Sequence, residues 1–291
     1  MNEEPGPRVR LFFTGNDPLF TGNDPRGGSF ARVCGTTWRM RSRLRCALMA
    51  TSLLAAVACS SSSAATSRQI TVAAAASLSQ VFQRIGIAFE KVHPGDSVRF
   101  TFSSSNGLAM QIQQGAPVDV FASAAPRWID AVAKDPGVIA RATFAHNRLI
   151  VIVPRDDPAH IMSLSDLARH GLKLVLAAPG VPAGDYARQI LTRAGLRAAL
   201  KNVVSNEQDV EGVVAKVTSG DADAGIVYAT DLTASVSSSV RAIEIPAAFD
   251  VVAVYQIGVV RGTKAETLAR AFVDYVLGSG QAALRGAGFS A

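Results

Sequence analysis

Four times along this chain a turn of small or hydroxyl residues stands where an apolar strand hands over to a helix. Gln69-Ile70-Thr71-Val72 runs into Ala73-Ala74-Ala75-Ala76-Ser77-Leu78, and Val98-Arg99-Phe100-Thr101-Phe102 runs into Ser103-Ser104-Ser105-Asn106-Gly107. Val181-Pro182-Ala183-Gly184 and Asn206-Glu207-Gln208-Asp209-Val210 are the later examples. Helical spacing is clear in Leu78, Phe82, Ile85 and Phe89, in Val210, Val213, Val214 and Val217, and in Leu268, Phe272, Tyr275 and Val276. Short apolar runs at 118–121, 149–153, 172–177, 224–228 and 251–260 read as buried strands. Strands alternating with helices imply an α/β architecture of mainly parallel sheets flanked by helices. In such sheets ligands bind beyond the carboxyl ends of the strands, where these turns fall. A helix start offers unpaired N–H groups and the positive end of the peptide dipole. Several starts converging on one point would hold a small oxyanion without lysine or arginine.

The 291 residues are 48% hydrophobic, enough for one or two buried cores. The basic excess is concentrated at the front: eight of 29 Lys+Arg and four of 23 Asp+Glu precede residue 60. The remainder is close to neutral and has no basic cluster interleaved with aromatics, which argues against nucleic-acid binding. Arg39-Met40-Arg41-Ser42-Arg43-Leu44-Arg45 precedes an apolar stretch at 46–58, too short to span a bilayer and suited to a signal peptide over 40–58. Ala56-Val57-Ala58-Cys59 followed by a Ser-rich spacer resembles a bacterial lipoprotein signal, with Cys59 lipidated and 59–68 as tether. An ordinary signal peptide cut near Ala65-Thr66-Ser67 is the alternative. Cys34, Cys46 and Cys59 are the only cysteines, so no disulfide is expected in the exported body. Phe13-Thr14-Gly15-Asn16-Asp17-Pro18 repeats at Phe20–Pro25. Because signal peptides ordinarily begin near the N-terminus, translation is expected to start at Met40, with 1–39 a spurious or disordered extension.

Taken singly, the turn residues have structural readings beside functional ones. Ser77 opens a capping box with Gln80; it either caps a helix only or keeps its proton for a ligand. Ser103 to Ser105 serve a turn or a ligand. Ala183 contributes only an N–H, with Pro182 setting the backbone before it and Gly184 admitting a ligand, or it lies in an ordinary loop. Val210 is a first core residue of a helix or an N–H donor at its start. Tyr228 is an interface phenol or a hydroxyl donor.

In combination, the segments Thr71–Leu78, Phe102–Ile112, Gly115–Ala124, Asn147–Val151, Val181–Ala187, Asp209-Val210 and Gly225–Asp231 resemble the periplasmic molybdate-binding proteins of ABC transporters. The resemblance covers residues 70–289 and implies a two-lobed periplasmic-binding-protein fold of type II. It implies lobe one at 69–146 plus 255–291 and lobe two at 147–254, with crossings near 147–154 and 245–254. It also implies oxyanion contacts at the Ser77 and Ser105 hydroxyls and N–H groups, the Ala183 and Val210 N–H groups and the Tyr228 hydroxyl. Ser105 is preferred to Ser104 for its distance to Leu108. The implied ligand is molybdate or tungstate with no cofactor. The implied partners are a permease and an ATPase on separate chains, and the chain itself is expected to be a monomer tethered through lipid.

An enzyme is the competing class. Gly-x-Ser-x-Gly, Gly-x-x-x-x-Gly-Lys and His-Glu-x-x-His motifs are all absent from the sequence. His93, His146, His160 and His170 read as loop or strand-edge residues, and Asp156-Asp157 and Asp221/Asp223 as turn acids. A secreted serine hydrolase assembled in space, or the same fold with sulfate or another small anion, are the alternatives.

Overall fold

The computed structural model describes residues 68–290. The expectations for 1–39, the signal peptide and Cys59 fall outside the described residues. In chain order the regular elements are β1 (Arg68–Ala75), α1 (Ser79–Val92), β2 (Asp96–Ser103), α2 (Ser105–Gln113), β3 (Val120–Ser123), α3 (Pro126–Lys134), β4 (Val138–Asn147) and β5 (Leu149–Pro154). Then follow β6 (Leu174–Ala177), α4 (Pro182–Arg193), β7 (Val203–Glu207), α5 (Val210–Thr218), β8 (Ala224–Tyr228), α6 (Ala234–Ser237) and β9 (Val240–Glu244). The last are β10 (Ala253–Val260), α7 (Glu266–Leu277) and α8 (Gln281–Gly286).

These strands form two five-stranded sheets of the same design, ordered β2-β1-β3-β10-β4 and β7-β6-β8-β5-β9. In the first sheet only β10 runs against its neighbours, and in the second only β5. Both reversed strands are the ones that arrive from the other sheet. The chain leaves the first sheet at Asn147 and enters the second at Leu149, opposite Tyr228 at the carboxyl end of β8. It returns between Glu244 and Ala253, and Gln256 of β10 pairs with Ser123 at the end of β3. A strand entering at the carboxyl ends of its neighbours must run antiparallel to them. The result is an α/β fold of two lobes whose strand ends face each other.

The interior strands are mostly apolar because helices cover both faces. All six residues of β5 and all four of β6 are buried. The elements that the apolar-run reading left out, β4, β7 and β9, are edge strands. An edge strand wets one face and mixes charge into its pattern, as in Val240-Arg241-Ala242-Ile243-Glu244. Behind the first sheet, Phe82, Phe89 and Phe272 meet edge-on, with centroids 6.2 and 5.3 Å apart across Phe272. Two of the turn acids satisfy backbone donors: Asp157 accepts from the nearby Ile161 N–H and pairs with Arg241, and Asp223 accepts from the distant Lys173 N–H at 2.8 Å.

Gly184 serves packing, not ligand access. It sits in the first turn of α4, and a Cβ there would stand 2.2 Å from the Ala177 carbonyl oxygen and 2.4 Å from that of Ala178. The start of α4 presses directly on the end of β6, and backbone cannot step aside as a side chain can. Gly184→Ala is therefore expected to destabilise the protein by about 1–3 kcal/mol, read as a lower urea midpoint; an unchanged midpoint would mean α4 docks more loosely than described.

Candidate functional site

The carboxyl ends of both sheets close on one small cavity. Ser77, Ser105, Ala183, Val210 and Tyr228 all line it, with Ala75, Ala76, Ser104, Ala124, Val181, Pro182 and Asp209. Its space for the centre of a water-sized sphere is about 20 Å³, against the roughly 10–15 Å³ that one water requires. The cavity suits one compact group. A wider groove of about 620 Å³ lies beside it, shares Ala76 and Ser77, and carries Arg84, Glu211 and Asp231 on its walls.

The first lobe contributes two hydroxyls. Ser105 is the first residue of α2 and is 1% exposed. Its Oγ accepts the Ala124 N–H at 3.0 Å, which leaves the hydroxyl proton to be donated. Ser77 departs from the capping-box expectation. β1 runs on to Ala75, a 3₁₀ turn occupies Ala76–Leu78, and Leu78 precedes α1 with no side-chain cap. Inside that turn the Ser77 hydroxyl is drawn away from the helix and bonds the Tyr255 hydroxyl at 2.8 Å.

The second lobe contributes two helix starts and a phenol. Ala183 follows Pro182 at the head of α4, and Val210 is the first residue of α5. N–H groups in a first turn lack intrahelical partners, and Asp209 takes up only that of Gly212, at 3.0 Å. Tyr228 ends β8, is 2% exposed, and has no hydrogen-bond partner for its hydroxyl among the described residues. Burial pushes its ionisation well above the ordinary tyrosine range, so it stays a donor.

Among the described residues no lysine or arginine lines the cavity, and Asp209 is the one acidic wall residue. Asp231, three residues beyond Tyr228, accepts the Tyr228 N–H at 2.9 Å. Loss of water pushes its carboxyl up to about 8; the Tyr228 N–H opposes that rise, while Glu211 and Asp209 add to it. That shift favours the protonated carboxyl near neutral pH.

Contacts across the mouth tie the lobes together. Trp128 Nε1 donates to the Gly180 carbonyl at 3.0 Å, Arg127 bonds the same carbonyl and pairs with Asp185, and Ser79 Oγ donates to Glu211 at 2.9 Å. Sequence reasoning missed these residues, and with them Tyr255, Asn147 and Asp231. Asp231 apart, which bonds the Tyr228 N–H three residues back, their partners lie far away along the chain, and no local spacing signals them. Among the described residues no group of three or more His, Cys, Asp or Glu could hold a metal ion, and no helix is long and apolar enough to cross a membrane.

A family model described as bacterial extracellular solute-binding protein matches residues 70–290. The molybdate-binding protein of Mycobacterium tuberculosis strain H37Rv is 42% identical over 230 residues, covering 76% of this chain and 86% of the relative. A putative ABC transporter substrate-binding lipoprotein of Bacillus subtilis is 32% identical over 78% of this chain and 89% of its own length. Among solved structures, the Azotobacter vinelandii periplasmic molybdate-binding protein superimposes with a TM-score of 0.67 at 24% identity, covering 76% of this chain and 99% of that one, a likeness of fold. With the two-lobed architecture and the cavity between its strand ends, these matches establish that the chain belongs to the bacterial extracellular solute-binding proteins.

Proposed function

We propose that this cavity captures molybdate, and tungstate with it, for delivery to an ABC transporter. The observation that carries the reading is the Tyr228 hydroxyl, a buried donor with no acceptor. Leaving such a group unpaired costs about 1–3 kcal/mol, a cost that a ligand oxygen removes. Around it stand the spare proton of Ser105 and the free N–H groups of Ala183 and Val210. Such a donor-rich wall suits an ion that is all acceptor, as the fully deprotonated metal-oxo dianions are at neutral pH. A protonated phosphate brings a hydrogen that needs an acceptor. The identity to a named molybdate-binding protein supports the metal-oxo ion over sulfate.

Five to seven hydrogen bonds to a charged ligand, at about 1.5–3 kcal/mol each, suffice for tight capture after ordering costs. Neutral donors also let the ion leave when the lobes part, because no fixed cation holds it. In this reading 69–146 with 255–291 forms one lobe and 147–254 the other, and ligand shifts the population toward the closed form. The protein binds and releases and performs no catalysis. It acts as a monomer, anchored through acylated Cys59 outside the cytoplasmic membrane, with permease and ATPase on separate chains. The likeness to a substrate-binding lipoprotein supports the anchor.

Calorimetry on the protein truncated after Cys59 is expected to give submicromolar binding of molybdate and tungstate and no measurable binding of sulfate or phosphate. Tight sulfate binding would overturn the choice of ion. Tyr228→Phe is expected to cost about 1.5–3 kcal/mol of affinity, and Ser77→Ala with Ser105→Ala about 2–5 kcal/mol together; unchanged affinity would remove those groups from the site. The pH profile offers a separate check. Asp231 is neutral below about 8 and becomes an anion above it, so affinity is expected to fall as pH rises through that value. Asp231→Asn is expected to flatten the fall, and an equal decline in both proteins would clear Asp231 of the effect.

A further inference from the structure

The hydrogen bonds behind Ser77 determine which way its proton points. Asn147 stands where the chain crosses between the sheets and is 4% exposed. Its Oδ1 accepts the Arg148 N–H at 3.0 Å, a backbone group that can only donate, so the orientation of the amide follows. Nδ2 then faces Thr230 Oγ1 at 2.8 Å and the Tyr255 hydroxyl at 3.5 Å. Tyr255 has no exposed surface; its hydroxyl meets Ser77 Oγ at 2.8 Å and Asn147 Nδ2 at 3.5 Å, and the Tyr228 hydroxyl stands nearby as a weaker neighbour. Nδ2 has nothing with which to accept. The nearest acceptor for the phenol proton is Ser77 Oγ, at 2.8 Å, which on receiving it is occupied on that side and turns its own proton to the cavity. Burial pushes Tyr255 far above the ordinary tyrosine range, so it remains a donor at every working pH.

We propose that Tyr255, oriented by Asn147, is a positioning residue that presets the Ser77 hydroxyl as a donor to the bound anion. This rests on the oxyanion reading of the cavity and extends it to residues outside the cavity wall. Thr230 follows β8 in the second lobe, whereas Ser77 and Tyr255 belong to the first. Because Asn147 bonds Thr230 with the same amide nitrogen, the relay also links donor orientation to the join between the lobes. Preorientation matters because a hydroxyl free to rotate must be ordered at the moment of binding, which subtracts from affinity.

Tyr255→Phe removes the relay and keeps the ring, with its edge-on contacts to Phe144, Tyr228 and Phe289. Calorimetry with sodium molybdate on wild type, Tyr255→Phe, Ser77→Ala and the double variant separates positioning from packing. Tyr255→Phe is expected to weaken binding roughly five- to tenfold, and to weaken it no further once Ser77 is alanine. Equal losses in both backgrounds, or no loss in the single variant, overturn the relay while leaving the oxyanion reading intact. A wild-type protein that binds none of molybdate, tungstate, sulfate and phosphate overturns the oxyanion reading and the relay with it. Asn147→Ala, which leaves Tyr255 in place, repeats the comparison if Tyr255→Phe folds poorly: a loss confined to the Ser77 background supports the relay, and a loss independent of Ser77 overturns it.

Discussion

A phenol proton enclosed at the meeting point of two sheets, with no hydrogen-bond partner among the described residues, is the constraint around which this molecule is organised. Tyr228 reaches that place as the last residue of β8, with Val227 and Ile226 buried behind it in the second lobe. Moving the strand to wet its hydroxyl would expose that apolar core, at about 25 cal/mol for each Å² uncovered. The hydroxyl therefore stays inside the cavity, where it is available to an oxygen that enters it. The neighbouring groups have the same character, a serine whose oxygen is already occupied and helix starts whose first N–H groups lack an intrahelical partner.

The absence of a cation on the wall follows the same logic. A lysine or arginine in so small a space would itself need solvation or a partner when the cavity is empty. Neutral dipoles carry a smaller desolvation cost and need little reorganisation when an ion arrives. The nearby acids are handled consistently. Asp209 is engaged with the start of α5, and desolvation of the Asp231 carboxyl, opposed by the N–H that it accepts, favours its protonated form. Negative charge is thereby limited at the place where a dianion would sit.

The two lobes are joined on opposite sides of the cavity by different chemistry. At the crossing, Asn147 connects Thr230 and Tyr255 through one amide. At the mouth, Arg127 and Trp128 grip the turn at Gly180. The ion pair there is partly exposed and contributes little by itself. Solvated contacts of that kind separate readily, and the apolar core inside each lobe does not, which gives relative motion of the lobes a low cost compared with unfolding either one.

Interior strands were legible because burial on both faces leaves a continuous apolar run, as in Leu149–Pro154. Edge strands such as Val240–Glu244 were not, since solvent on one side admits arginine and glutamate. Ser105 and Tyr228 carry side-chain chemistry that a reader of the chain can single out. Ala183 and Val210 carry none; the turn pattern offered their N–H groups as one reading beside a structural one, and likeness to a family favoured it. Ser77 shows the boundary between the two kinds of information. Its position in a turn after β1 follows from local pattern, but its hydroxyl partner, Tyr255, lies 178 residues away. Composition and periodicity thus determined that there would be α/β sheets with turns at their strand ends. Only the packing of one lobe on the other decided which donors share a cavity, which are already satisfied and which remain free, because hydrogen-bond partnership is a property of distance in space.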